Sequence, residues 1–84
     1  MLAAMGKRVI LGAAVKAIRE EKAKHDPEFR GSRFSVKCLM TPGHLCNIEQ
    51  GRKNPPEDVI HRIAAQLGVP VEAISYVTEA TAAA

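Results

Sequence analysis

The sequence predicts an all-α fold of five helices, and three observations carry that prediction. Aromatic residues are only 4% of the 84 residues and tryptophan is absent, so the core must be built from Leu, Ile, Val, Met and Ala, a set better suited to packed helices than to a sheet. Apolar residues recur at helical spacing in several separate segments. Between those segments stand residues that start and stop helices: Thr41-Pro42, Gly51, Asn54-Pro55-Pro56 and Gly68. A chain of this length forms one domain with a modest core and marginal stability.

The first helix is expected over about Val9 to Lys24, with Leu11, Ala14, Val15 and Ile18 facing inward and Lys16, Glu20 and Lys24 outward. It cannot pass His25, because Pro27 disfavours helical geometry in the residue before it. His25 to Ser32 is then a loop or single turn, with Asp26 and Ser32 as candidate caps. A short second helix, about Arg33 to Leu39, turns Phe34 and Cys38 inward; Val36 and Met40 fit either face.

Thr41 is the N-cap and Pro42 the first residue of a third helix that runs to about Gln50. This helix buries Leu45 and Ile48 and ends at Gly51, a natural left-handed C-cap. Asn54-Pro55-Pro56-Glu57 repeats the start signal for a fourth helix, whose Val59, Ile60, Ile63, Ala64 and Leu67 face inward before Gly68 stops it. A last short helix starts at Pro70 and carries Val71, Ile74 and Val77. The chain thus divides into a basic N-terminal arm (1–8), a helical domain (9–77) and a flexible tail (78–84) with no pattern to pack.

The formal net charge of +3 permits a polyanionic partner without requiring one. Lys7 and Arg8 precede an apolar run, as in a signal peptide, but that run leads directly into Lys16, Arg19 and Glu20 with no cleavage-type ending and reads as an amphipathic helix. Nothing approaches the run of about 20 apolar residues that spans a membrane. Cys38 and Cys46 lie in helix-like segments without a secretory signature, which favours free thiols and a cytoplasmic location. Their spacing, with His44 between them, lacks the paired pattern of a zinc site, so no metal is expected. His25 and His61 have no paired nucleophile or carboxylate at a motif spacing and read as surface residues. With no catalytic motif and no phosphate-binding glycine loop, the sequence predicts neither an enzyme nor a cofactor nor a small-molecule substrate.

The ordered set of pieces "FSVKCLMTPGHLCNIEQGRKNP", "VIHRIAAQLGV" and "PVEAIS" resembles the lambda repressor/Cro family of helix-turn-helix DNA-binding domains, the XRE family, over roughly Leu11 to Tyr76. The resemblance implies a compact five-helix domain in which helices two and three form the helix-turn-helix. Three departures stand out. The loop before helix two is longer than the family usually has, and Leu39 occupies the turn position that is commonly glycine. The glutamine that often opens the family's second helix is replaced by the region Arg30-Gly31-Ser32.

Carried over by position, the resemblance implies that Pro42, Gly43, His44 and Asn47 face the bases. His44 would donate to guanine, Asn47 pair with adenine, Gly43 allow close approach and Pro42 offer an apolar contact. Thr41, Arg52, Lys53 and Asn54 would meet the phosphate backbone, joined by the arm residues Lys7 and Arg8 and, on the opposite flank, by Arg33 and Lys37 beside Arg30. Arg19 and Glu49 match a structural ion pair between helix one and the reading helix. One helix reads only a few base pairs, so specificity calls for a homodimer on a near-palindromic operator, with Ile74, Tyr76 and Val77 as the candidate dimer surface. The expected function is a sequence-specific double-stranded DNA-binding transcriptional regulator, of the phage immunity repressor or Cro type, in the cytoplasm of a bacterial cell or phage-infected host. The alternative is an antitoxin-like or adaptor protein that uses the same fold mainly to bind another protein.

Overall fold

The computed structural model describes residues 6–78. These are mostly helical: β1 (Arg8–Ile10), α1 (Gly12–Ala23), α2 (Gly31–Lys37), α3 (Pro42–Glu49), α4 (Glu57–Leu67) and β2 (Ser75–Val77), with 3-10 turns at Pro27–Phe29 and Val71–Ala73. Among the described residues no helix is long and apolar enough to cross a membrane.

The apolar positions read from the sequence meet in one core. Val15 of α1, Phe34 of α2, Leu45 and Ile48 of α3, and Ile60, Ile63, Ala64 and Leu67 of α4 are buried, together with Ile10, Cys38 and Ile74. Burying each large aliphatic or aromatic side chain contributes about 1.5–3 kcal/mol, which is why so small a domain needs all of them. Met40 and Val59 pack partly against this core, while Val36 is exposed.

The helix ends follow local chemistry. Thr41 Oγ accepts from the His44 N–H at 3.1 Å, with Pro42 at the first helical position. Gly51 (φ 80°) and Gly68 (φ 73°) take the left-handed conformation that ends α3 and α4. Leu39, in the turn between α2 and α3, does so as well at φ 60° and is 75% exposed. A side chain with a Cβ is held there against an intrinsic cost of about 1–2 kcal/mol.

Three expectations are corrected. The first helix begins at Gly12 and not Val9, because Val9 and Ile10 lie in β1, which pairs antiparallel with β2 in the register Arg8↔Val77, Val9↔Tyr76 and Ile10↔Ser75. Leu11 becomes the residue before the helix and donates its N–H to the Ile74 carbonyl at 2.7 Å. The fifth helix is a single 3-10 turn, Val71–Ala73, followed by β2. Its residues Ile74 and Val77 fit a helical face by spacing, but β-branched side chains beside a partner strand are equally suited to a ribbon. The fourth helix is not capped by Asn54. That amide accepts from the Ile10 N–H at 2.8 Å and donates to the Arg8 carbonyl at 3.2 Å, closing the outer edge of β1, and Pro56 precedes α4 instead.

Candidate nucleic-acid interface

The N-terminal turn of α3 lies at the surface. Thr41, Pro42 and Gly43 are exposed, and His44 and Asn47 are half-buried. Leu45, Ile48 and Glu49 on the opposite face anchor the helix to the core. The first turn of α3 holds no acidic residue, so the partial positive charge of the helix end stands unopposed. A β-carbon built on Gly43 would meet nothing within 4 Å. Gly43 stands in the first turn of α3, where alanine is the better helix former, and nothing in the packing requires glycine there.

Beyond α3, Arg52 and Lys53 are exposed, and Arg52 Nη1 donates to Asn47 Oδ1 at 3.3 Å. Pro42, Gly43, His44 and Asn47 thus lie on α3, and the Arg52-Lys53 pair follows it directly, tied back to the helix by the Arg52–Asn47 bond. A cleft of about 260 Å³ opens beside α3 against α1 and the start of α2, with Lys16, Ser32, Cys46 and Gln50 on its rim. The sequence reading passed over Lys16 and Gln50, since neither stands in a motif; only the packing of three helices places them beside the first turn of α3.

The floor of that cleft is the pair Arg19–Glu49, buried to 8% and 9% exposure. Arg19 Nε and Nη2 donate to the two Glu49 oxygens at 2.7 and 3.1 Å, and Nη1 donates to the Phe29 carbonyl at 3.1 Å. The hydrogen bond to Glu49 holds the Arg19 pKa above its ordinary value against the desolvation that lowers it.

Several other candidates are engaged within the fold. Arg8 is not part of a free arm: it lies in β1, with Nη1 donating to Ser75 Oγ at 2.9 Å and Nε to Glu57 at 3.3 Å. The Lys7 backbone joins Thr78, while residues 1–5 and 79–84, and with them most of the expected arm and tail, lie outside the described residues. Asn54 uses its amide on the β1 backbone, accepting from Ile10 and donating to Arg8. Arg33 and Lys37 each meet Glu28, at 2.8 and 3.5 Å. Ile74, expected at a dimer surface, is fully buried because the 3-10 turn folds it into the core; Tyr76 (48% exposed) and Val77 (53%) remain on the surface of β2.

Both cysteines are free thiols. Cys46 is exposed on the cleft side of α3 and accepts from Gln50 Nε2 at 3.3 Å. Cys38 is buried, and desolvation pushes its thiol pKa up to about 11, with the Arg62 charge pulling the other way. A raised folded-state value favours the neutral thiol, so the stability linked to it is complete below pH 9 and is lost as pH rises toward 11. The loss is expected to be on the order of 2 kcal/mol. Urea unfolding across this range checks it against Cys38→Ala, whose profile should be flatter; parallel profiles would show that other groups carry the alkaline loss.

Comparison of the chain with protein-family models, with curated proteins and with solved structures finds no match.

Proposed function

We propose that this protein is a sequence-specific double-stranded DNA-binding transcriptional regulator, a repressor of the phage immunity or Cro type. In this reading α2, the turn at Leu39 and α3 are a helix-turn-helix of the lambda repressor/Cro kind, and α3 enters the major groove. The observation that carries it is the Gly43 turn. A glycine in the first turn of α3, in open space, next to exposed Pro42 and half-buried His44 and Asn47, has no use in packing and supports a reading in which a backbone must approach base edges.

His44 donates to guanine and Asn47 reads adenine, with Arg52 supporting the Asn47 amide and Lys53 meeting the backbone. Two copies bind half-sites one helical turn apart, with Tyr76 and Val77 as the shared surface. Repression follows from covering an operator and excluding polymerase.

Selection from random duplex DNA at near-physiological salt, followed by titration of the winner against a scrambled control, tests this reading. The expected outcome is a palindromic motif whose binding falls about tenfold or more, or about 1.4 kcal/mol, in His44→Ala and in Asn47→Ala. If only weak, salt-driven binding without a motif is recovered, the reading fails. Exposed Val36 and Leu39, at 67% and 75%, favour a second reading in that case, an antitoxin-like or adaptor protein that binds another protein.

A further inference from the structure

The loop from His25 to Arg30, longer than the resemblance leads one to expect, is built rather than slack. Asp26 Oδ1 accepts from the Glu28 N–H at 2.9 Å, and the Phe29 carbonyl accepts from Arg19. The Phe29 ring stacks on Phe34 with centroids 6.0 Å apart, and the Lys22 ammonium lies 5.7 Å from its centroid. The backbone that carries Glu28 is thereby fixed from several sides, by a cap, a buried guanidinium and a core aromatic.

The Glu28 carboxylate uses one oxygen on Arg33 at 2.8 Å and the other on Lys37 at 3.5 Å. These are the exposed cations on the outer face of α2, one helical turn apart. We propose that Glu28 is an autoinhibitory anion, which occupies Arg33 and Lys37 in place of phosphate so that a polyanion must displace it to contact this face. The proposal rests on the DNA-binding reading for its biological partner, but its physical content needs only a polyanion.

The chemistry supports exchange. A carboxylate and a phosphodiester accept the same charge-assisted hydrogen bonds from guanidinium and ammonium. The contacts are solvent-exposed, so they are weak enough to be displaced and their loss does not threaten the fold. With Glu28 in place the trio presents one net positive charge to an approaching backbone; without it, two. Nonspecific binding is damped most, because it depends on charge alone, whereas base contacts through α3 are untouched.

The test compares Glu28→Gln with Glu72→Gln, an exposed carboxylate of the 3-10 turn Val71–Ala73 that gives the same change in net charge. Binding to random-sequence duplex DNA and, in parallel, to heparin is titrated over a range of salt. Glu28→Gln should bind several-fold more tightly than Glu72→Gln, with a salt slope steeper by about 0.9 for each additional phosphate contact on DNA. Adding Arg33→Gln and Lys37→Gln to Glu28→Gln should erase the gain. Equal behaviour of the two single variants on both polyanions would overturn the proposal. A gain on heparin and random DNA from a protein that yields no sequence motif would leave Glu28 as the competing anion and remove the operator-reading function instead.

Discussion

Arg19→Met is expected to lower the unfolding free energy by about 3 kcal/mol, and with it the melting temperature by about 12–24 °C. Methionine replaces the alkyl stem, but it leaves the Glu49 carboxylate, 9% exposed, without either of its charged hydrogen bonds, and the Phe29 carbonyl without its donor. The position of Glu49 makes this worse. It lies in the last turn of α3, where the helix end carries partial negative charge and a carboxylate is unfavourable unless a cation offsets it. Removing both charges together should cost much less than removing one, since a well-packed apolar pair avoids the burial of an orphaned ion. Thermal and urea unfolding of Arg19→Met, Glu49→Leu and the double variant decide the matter. An unchanged midpoint in the single variants would remove the pair from any account of how α3 is held.

Gly12→Ala is expected to destabilise by about 2–3 kcal/mol, although alanine is the better helix former. A β-carbon at Gly12 would run into the Ile48 carbonyl oxygen and come within 2.7 Å of the Glu49 carbonyl oxygen. Both are backbone atoms at the end of α3, so no rotamer change relieves the overlap; α1 and α3 must move apart. Gly43→Ala is the matched control, because open space surrounds it, and it should unfold at or slightly above the wild-type midpoint. The same pair of variants separates fold from function. Gly43→Ala should keep the fold and, on the DNA-binding proposal, weaken binding to the selected duplex, whereas equal stability of Gly12→Ala and wild type would show that the two helices tolerate a wider spacing.

Much of the helical framework was legible because its signals are local. Thr41-Pro42 sets the start of α3 through one hydroxyl and one fixed φ, Gly51 and Gly68 set the ends through left-handed φ, and Phe34, Leu45, Ile48, Ile60 and Ile63 mark inner faces by spacing alone. The strain at Leu39 was also visible, as a bulky residue where a turn favours glycine. Where the reading failed, two parts of the chain far apart in sequence had to meet. Val9 and Ile10 look like the start of an amphipathic helix until Ser75–Val77 arrives to pair with them, and Asn54 looks like a cap until the edge of β1 claims its amide.

The candidate interface divides along the same line. The sequence by itself determined a mostly helical core, the ends of α3 and the placing of Pro42, Gly43, His44 and Asn47 off its buried face, because those follow from periodicity, caps and propensity within a few residues. Tertiary structure alone decided which cations remain available. It drew Arg8 onto Ser75 and Glu57, set Glu28 against Arg33 and Lys37, and left Arg52 and Lys53 exposed. A formal charge is fixed by residue type, but the partner that neutralises it is fixed by which segments the core brings together.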